Sequence, residues 1–308
     1  MRATLLILGA FLLTWLSPVA LLLIAPIVLG VPHVANDFRY LVFRPLRQGG
    51  EGGRAWLTYG ALLLPLAGFA ALRALVYLGY PAHQRVEVLL GCSAAVAAVV
   101  LTPRASLPRQ GLVLLALGGL AFAAFRWPWQ VLLAFGHVHN LVAFGLWFVW
   151  AGAPRRAAIV YLACLTALLV GLPAFSTAGL GGLDLHQLNG SLAPGFSDVL
   201  ATRVVTSYAF AQMVHYAVWI DLVPASQRGT SVRSDLGTWG LAAAIAATVG
   251  LCAWGLFDPF KARVTYLSLA LFHGWLEVAV IAHLWVGRGT IALPGAAPVR
   301  RQPVALIA

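Results

Sequence analysis

Apolar residues run through this chain in long blocks with few interruptions. Nine such blocks stand out, at about 4–31, 56–79, 86–102, 110–126, 129–152, 157–178, 199–221, 236–257 and 262–287. Most approach the ~20 residues that an α-helix needs to cross a bilayer. The pattern predicts an all-α, polytopic transmembrane helical bundle of about nine helices. It forms one domain over 1–288, followed by a flexible cytoplasmic tail over 289–308 where Pro294, Pro298 and Pro303 interrupt any regular element. Pro18 and Pro26 could kink the first block, so eight or ten helices stay open as alternatives. Two connections are long, the Gly-rich 38–55 segment and the Gly-, Ser- and Asn-rich 176–198 segment. The first block carries one Arg and lacks a small-residue cleavage site, so it reads as a retained helix.

Composition sharpens this picture. Of the 308 residues 61% are hydrophobic and 9% charged, too few polar groups to cover a soluble globule of this size. The net charge of +11 acts first as an orientation signal. When the connections are assigned to alternate sides, thirteen basic residues fall on one side: Arg39, Arg44, Arg47, Arg54, Arg104, Arg109, Arg155, Arg156, Arg228, Arg233, Arg288, Arg300 and Arg301. Seven fall on the other: Arg2, Arg73, Arg85, Arg126, Arg203, Lys261 and Arg263. That split places the amino terminus outside, the carboxyl terminus in the cytoplasm and the protein in the cell inner membrane. Nucleic acid finds no binding pattern here. Cys92, Cys164 and Cys252 lie in apolar runs without CxxC spacing and read as reduced thiols.

Histidine is the informative residue. Six of the eight (His33, His137, His139, His215, His273 and His283) fall within or at the ends of apolar blocks, where an ionisable group faces the bundle interior and marks function. His83 and His186 fall in connections and read as solvated. His33 and Asp37 are four apart and share a helix face, which suits a metal ligand with its carboxylate, or an interfacial pair at a helix end. His273 and Glu277 repeat the spacing at mid-depth, where a lone carboxylate is very unfavourable and a metal centre is the simplest partner; a hydrogen bond between helices is the other reading.

His137 and His139 sit about 200° apart around a helix, so only one can face a given centre. His215 stands near Gln212, and His283 lies about 15 Å along the axis from His273, too far to share an ion with it. The expected site is one centre drawn from His33, His139, His215 and His273, with His137 as the alternative to His139 and with Asp37 and Glu277 as its acids. Imidazoles with one or two carboxylates suit Fe(II), zinc, copper or nickel, and a His-rich ferrous centre with open positions activates dioxygen. HExxH, a phosphate-binding Gly-rich loop and GxSxG are absent from the sequence.

At Gly30, Pro32, His33, Ala35 and Asp37 the chain resembles the Brp/Blh family of membrane β-carotene dioxygenases, whose first-helix signature is Gly-x-Pro-His-Gly-Ala-x-Asp; Val34 stands in place of the second Gly. Phe272, His273 and Glu277 approximate the family's last motif without its Pro, the early His-Phe-Gly motif is missing, and His137 and His139 are two rather than four apart. The resemblance implies histidine-bound non-haem iron, dioxygen and carotenoid cleavage to retinal-type aldehydes. Together these readings predict a membrane-embedded metal-dependent oxygenase acting on an apolar substrate drawn from the bilayer; Trp147, Trp219 and Trp275 either line its cavity or serve as ordinary bundle packing. The alternatives are a haem b quinol-linked electron-transfer protein, a zinc-dependent lipid hydrolase, and a proton or ion relay transporter.

Overall fold

The computed structural model describes residues 1–48, 52–81, 83–102, 105–150, 154–171, 179–180, 183–226 and 231–287. The tail, Gly49 and Gly50, residues 172–178, and Arg104, Arg228, Arg288, Arg300 and Arg301 lie outside them. The described residues are helical almost throughout, as expected where lipid offers backbone groups no partner and each helix must satisfy its own. Among the described residues, six helical stretches are long and apolar enough to cross a bilayer: Pro18–Leu46, Tyr59–Tyr77, Leu107–Arg126, Pro128–Phe148, Val232–Phe257 and Pro259–Val286.

The first apolar block is two helices, α1 (Arg2–Leu16) and α2 (Pro18–Phe38), not one. Ser17 leaves the helical region (φ −156°, ψ 79°), and Pro18, which has no N–H to give to the preceding turn, opens the second helix. Arg2 forms an ion pair with Asp221, so the start of α1 stands at the end of the bundle where the helix carrying His215 finishes. The sequence reading placed Arg2 on the opposite side from that connection. It erred because a break at one residue leaves the hydropathy of the block unchanged. The expected 38–55 connection is also largely helical: α2 continues through a π-helical turn, Arg39–Phe43, into α3 (Arg44–Gln48), and α4 (Gly52–Tyr77) follows.

Next come α5 (Gln84–Val100), α6 (Leu107–Arg126), α7 (Pro128–Trp150) and α8 (Arg155–Val170). Part of the expected 176–198 connection forms a short helix, α9 (Leu185–Leu192), started by a capping box in which the Asp184 carboxylate accepts from Gln187 N–H. Helix α10 (Asp198–Ala217) runs through a second π-helical turn, Val218–Leu222, into α11 (Val223–Ser226). Helix α12 (Val232–Phe257) contains a break at Gly237, whose φ of +74° is a conformation that only glycine adopts without strain. Asp258 caps α13 (Pro259–Ala270); its carboxyl is held below the ordinary range by the Lys261 N–H it accepts from. A one-residue interruption at Leu271 separates α13 from α14 (Phe272–Val286).

Helices α2, α7, α10 and α14 form the interior, and the long faces of α6 and α12 look outward. Close approach of α14 to α5 depends on Gly91, where a Cβ would stand 2.1 Å from the Trp275 indole. Trp275 in turn stacks on Phe135 of α7, with ring centroids 4.2 Å apart. Gly91→Ala is expected to lower stability by ~1–3 kcal/mol through overpacking, read as an earlier thermal transition in Trp fluorescence of detergent-purified protein. An unchanged transition would show that the α5–α14 contact is looser than described. Cys92, Cys164 and Cys252 are free thiols.

Candidate metal centre

Four histidines from four helices meet in the interior: His33 of α2, His139 of α7, His215 of α10 and His273 of α14. The ring centroids of His33 lie 5.1 Å from His215 and 4.8 Å from His273. His139 lies 5.2 and 5.4 Å from the same two rings. Asp37, one turn beyond His33, brings its carboxylate to the group. One ligand atom each from His33, Asp37, His215 and His273 lies within 4.8 Å of the other three, and all four residues are buried. Ligands on opposite sides of an ion at ~2.1 Å stand ~4.2 Å apart, so the set closes on one ion with sub-ångström shifts.

Local structure explains the arrangement. His33 and Asp37 lie inside α2, not at its end, because the helix passes Pro26 and Pro32 without breaking and continues to Phe38. The interruption at Leu271 starts a new helix just before His273 and leaves the Ala270 carbonyl free to accept from His273 Nδ1. The π-helical turn after α10 carries Trp219, whose indole N–H donates to Glu277 Oε1 at 2.7 Å. Such turns insert one extra residue and re-aim the side chains that follow. Gly274 lets α14 approach α7; a Cβ there would meet His139 at 3.2 Å.

The hydrogen bonds assign the tautomers. A carbonyl only accepts, so Nδ1 must carry the proton in His33 (to Leu29, 3.3 Å), in His139 (to Gly136, 2.8 Å) and in His273 (to Ala270). In neutral rings each Nε2 then offers a lone pair. His33 Nε2 and His273 Nε2 face each other at 3.2 Å, an unfavourable contact of two lone pairs unless a cation lies between them. Nitrogens bound side by side to one ion at ~2.1 Å are ~3.0–3.4 Å apart. The contact therefore has the spacing of two ligands on a shared metal.

Charge leads to the same place. Asp37 and Glu277 are both fully buried and interact with each other; neither Asp37 oxygen nor Glu277 Oε2 has a hydrogen-bond partner, and neither ring nitrogen of His215 has one. His215 Nε2 lies 3.7 Å from Glu277 Oε1. The described buried arginines are engaged elsewhere, Arg39 and Arg44 with Asp235 and Arg263 with the Leu22 carbonyl, and the half-buried Arg73 pairs with Glu87. Two carboxylates in a low-dielectric interior would be balanced by one divalent cation held among the imidazoles.

His137 does not join the cluster. Its Nε2 donates to the Leu192 carbonyl at 2.8 Å and its ring packs on Tyr208, so the choice between His137 and His139 falls to His139. His283 bonds to Thr102 Oγ1 at 2.8 Å, away from the site. Of the two readings of the tryptophans the structure shows packing: Trp147 packs edge-on against Phe144, Trp219 donates to Glu277, and Trp275 stacks on Phe135.

Sequence reasoning missed the tyrosines. Tyr266 Oη lies 3.4 Å from His33 Nδ1, and the Tyr216 ring packs 4.5 Å from His33 while its hydroxyl accepts from Gln212. With Tyr208 and Asn140 they line a polar cavity of about 90 Å³ against His33, His139 and His273. The four-residue spacing of Tyr208, Gln212 and Tyr216 in an apolar helix was the available signal. Comparison with protein-family models, with curated proteins and with solved structures returned no match to this chain.

Proposed function

We propose that the protein is a membrane-embedded, metal-dependent oxygenase that holds one Fe(II) on His33, His215, His273 and Asp37, with His139 and Glu277 beside it. The observation that supports this reading best is the convergence of His33, His215 and His273 with the buried Asp37 carboxylate on one point, with the buried Glu277 carboxylate 3.7 Å from His215. Three imidazoles and a carboxylate leave positions open on an octahedral ion, an arrangement suited to iron more than to the closed tetrahedron of structural zinc. Bound there, ferrous iron would supply dioxygen binding and one-electron chemistry. The chain's own groups do the rest. Backbone carbonyls orient His33, His139 and His273; Trp219 anchors Glu277; the tyrosine hydroxyls of the polar cavity can hold or pass a proton next to His33; and the apolar surround excludes bulk water. A haem reading fits less well, because axial histidines lie on opposite faces of a macrocycle with their nitrogens ~4 Å apart, against 3.2 Å here.

The substrate class proposed is apolar and lipid-soluble, with a carotenoid-like polyene as the first compound to offer. For the topology, the Arg2–Asp221 pair and the division of the first block favour ten crossings with both termini on the cytoplasmic side of the inner membrane. That moves Arg2 to the basic-rich side and strengthens the charge asymmetry.

Elemental analysis of detergent-purified protein, together with a visible spectrum, tests the assignment. About one iron per chain without a Soret band, and oxygen uptake on addition of polyene, is the expected result. A Soret band would move the reading to haem, stoichiometric zinc to hydrolysis. Absence of metal after metal-replete expression would overturn it and leave proton or ion relay in front.

A further inference from the structure

Helix α12 forms an outer wall with little of its surface covered, and it meets α2 closely at two places. At one end its first turn is gripped by two ion pairs, Arg39 Nε to Asp235 at 2.6 Å and Arg44 Nε to Asp235 at 3.0 Å. At the other end Gly255 lies against Ile27, where a Cβ would stand 2.9 Å from the Ile27 side chain, and Cys252 Sγ is 3.7 Å from the Ile27 carbonyl. Between these fastenings, over the ~18 Å of helix that separates Ile27 from Arg39, the facing side chains of the two helices leave a gap.

The gap is a cavity of about 510 Å³. Val31, Val34 and Ala35 form one side of it, Ala247, Gly250, Leu251 and Trp254 the second, and α13 the floor. No charged side chain lines it. Tyr266 and Ala270 border both this cavity and the polar cavity at the histidines. Tyr266 is the only large side chain common to the two, and it stands there because position 30 is glycine: a Cβ at Gly30 would be 2.4 Å from its ring.

We infer that the opening between α2 and α12 is the substrate's binding cavity, taking one uncharged, elongated hydrocarbon directly from the bilayer, with Tyr266 at its inner end as the residue that positions the chain against the metal centre. This rests on the metal-centre reading for its chemistry but not for its geometry. The volume is in the range of small-molecule sites, ~300–1,000 Å³, and the lining offers a chain dispersion contacts along its length, with the Thr265 and Tyr266 hydroxyls and the Trp254 indole N–H as its polar side-chain groups. A charged headgroup would find no counter-charge there, and a water-soluble substrate would have no aqueous route to it. Mid-membrane depth follows from the position of the opening between the two fastenings, level with His33. A hydrocarbon already dissolved in the membrane therefore reaches the metal without crossing an interface.

The test is photolabelling of the full chain in lipid nanodiscs with a diazirine-bearing C16 alcohol, with the labelled residues mapped by mass spectrometry and metal measured on the same samples. Gly250→Trp fills the cavity from the outer helix; Ala246→Trp places the same bulk on an exposed position of α12 that does not line it. The expected result is labelling at Tyr266 and Leu269 in wild type and in A246W, reduced at least tenfold in G250W, with metal content equal in all three. Equal labelling of Tyr266 in G250W, or no labelling of Tyr266 and Leu269 in wild type, would overturn the inference. Cavity-specific labelling without bound metal would sustain the hydrocarbon site while removing the oxygenase reading. Bound metal without such labelling would do the reverse. A second filling variant, Ala247→Trp, guards against misfolding of the first, and a folded A247W that labels like wild type would count against the proposal.

Discussion

The His33→Ala, His273→Ala double variant is expected to fall from about one metal ion per chain to below about a tenth, while its elution on size exclusion stays that of wild type. These two side chains supply the pair of Nε2 atoms facing at 3.2 Å, and each comes from a helix held by many buried apolar contacts besides. Removing them takes away two of four candidate ligands and leaves His215 and Asp37, too few to hold an ion against a chelator. Loss of a hydrogen-bonding partner behind a ligand commonly costs 10–100-fold in metal affinity, so loss of two ligands themselves exceeds that. The fold should survive, since the deletion also relieves the lone-pair contact. His137→Ala serves as the control and should keep its metal, because His137 bonds the Leu192 carbonyl rather than the cluster. Undiminished metal in the double variant, or equal loss in H137A, would place any bound ion elsewhere.

Asp235→Ala is expected to produce the largest loss of stability of any single substitution considered, ~3–5 kcal/mol, seen as a thermal transition well below that of wild type. One carboxylate faces two guanidiniums, and all three groups are nearly buried, with 5% exposure for each arginine side chain and 8% for the aspartate. Both arginines also stack on Tyr40, with their guanidinium carbons 4.8 and 4.7 Å from its ring centre. The attraction of a buried pair is largely offset by the desolvation it required, so the pair adds little by itself. Deleting only the carboxylate is different, since it leaves two like charges buried side by side. Asp235→Asn should lie between the two proteins, keeping hydrogen-bond acceptance without charge. Because Asp235 is also one fastening of α12, the variant should loosen the hydrocarbon cavity as well. A wild-type transition in D235A would show that water reaches these arginines freely.

Part of the site could be read from local spacing alone. His33 with Asp37 and His273 with Glu277 are each four apart, so any helix puts each pair on one face, and burying a carboxylate in an apolar helix demands a partner whatever the fold. The 200° between His137 and His139 required that one of them be excluded. Which one was excluded depended on α14 packing against α7 at Gly274, a contact between residues far apart in the chain. The division at Ser17, which Pro18 left open as a kink, was not decided by the sequence for a related reason. Hydropathy sums apolar content over a window, and a single rotated residue, however consequential for topology, leaves that sum unchanged. Tyr266 was passed over because an aromatic residue in an apolar helix is ordinarily core, and only the proximity of the His33 ring distinguishes it; Trp219 was weighed as cavity lining or packing, and its bond to Glu277 depended on the π-helical turn that carries it.

The sequence by itself determined an all-helical chain suited to a bilayer, because apolar excess and backbone self-satisfaction in lipid leave no other regular structure in blocks of this length. It also determined that intramembrane histidines and acids must find partners inside the bundle. Only the tertiary structure decided that His33, His139, His215 and His273 come from four helices to one cluster, that the Nδ1 protons of His33, His139 and His273 go to backbone carbonyls so that their Nε2 atoms stay open, and that α2 and α12 leave a cavity between two fastenings. The physical reason is that propensity and hydropathy act within a few turns of helix, whereas ligand convergence and cavity shape are set by side-chain volumes meeting across 100 to 240 residues of chain.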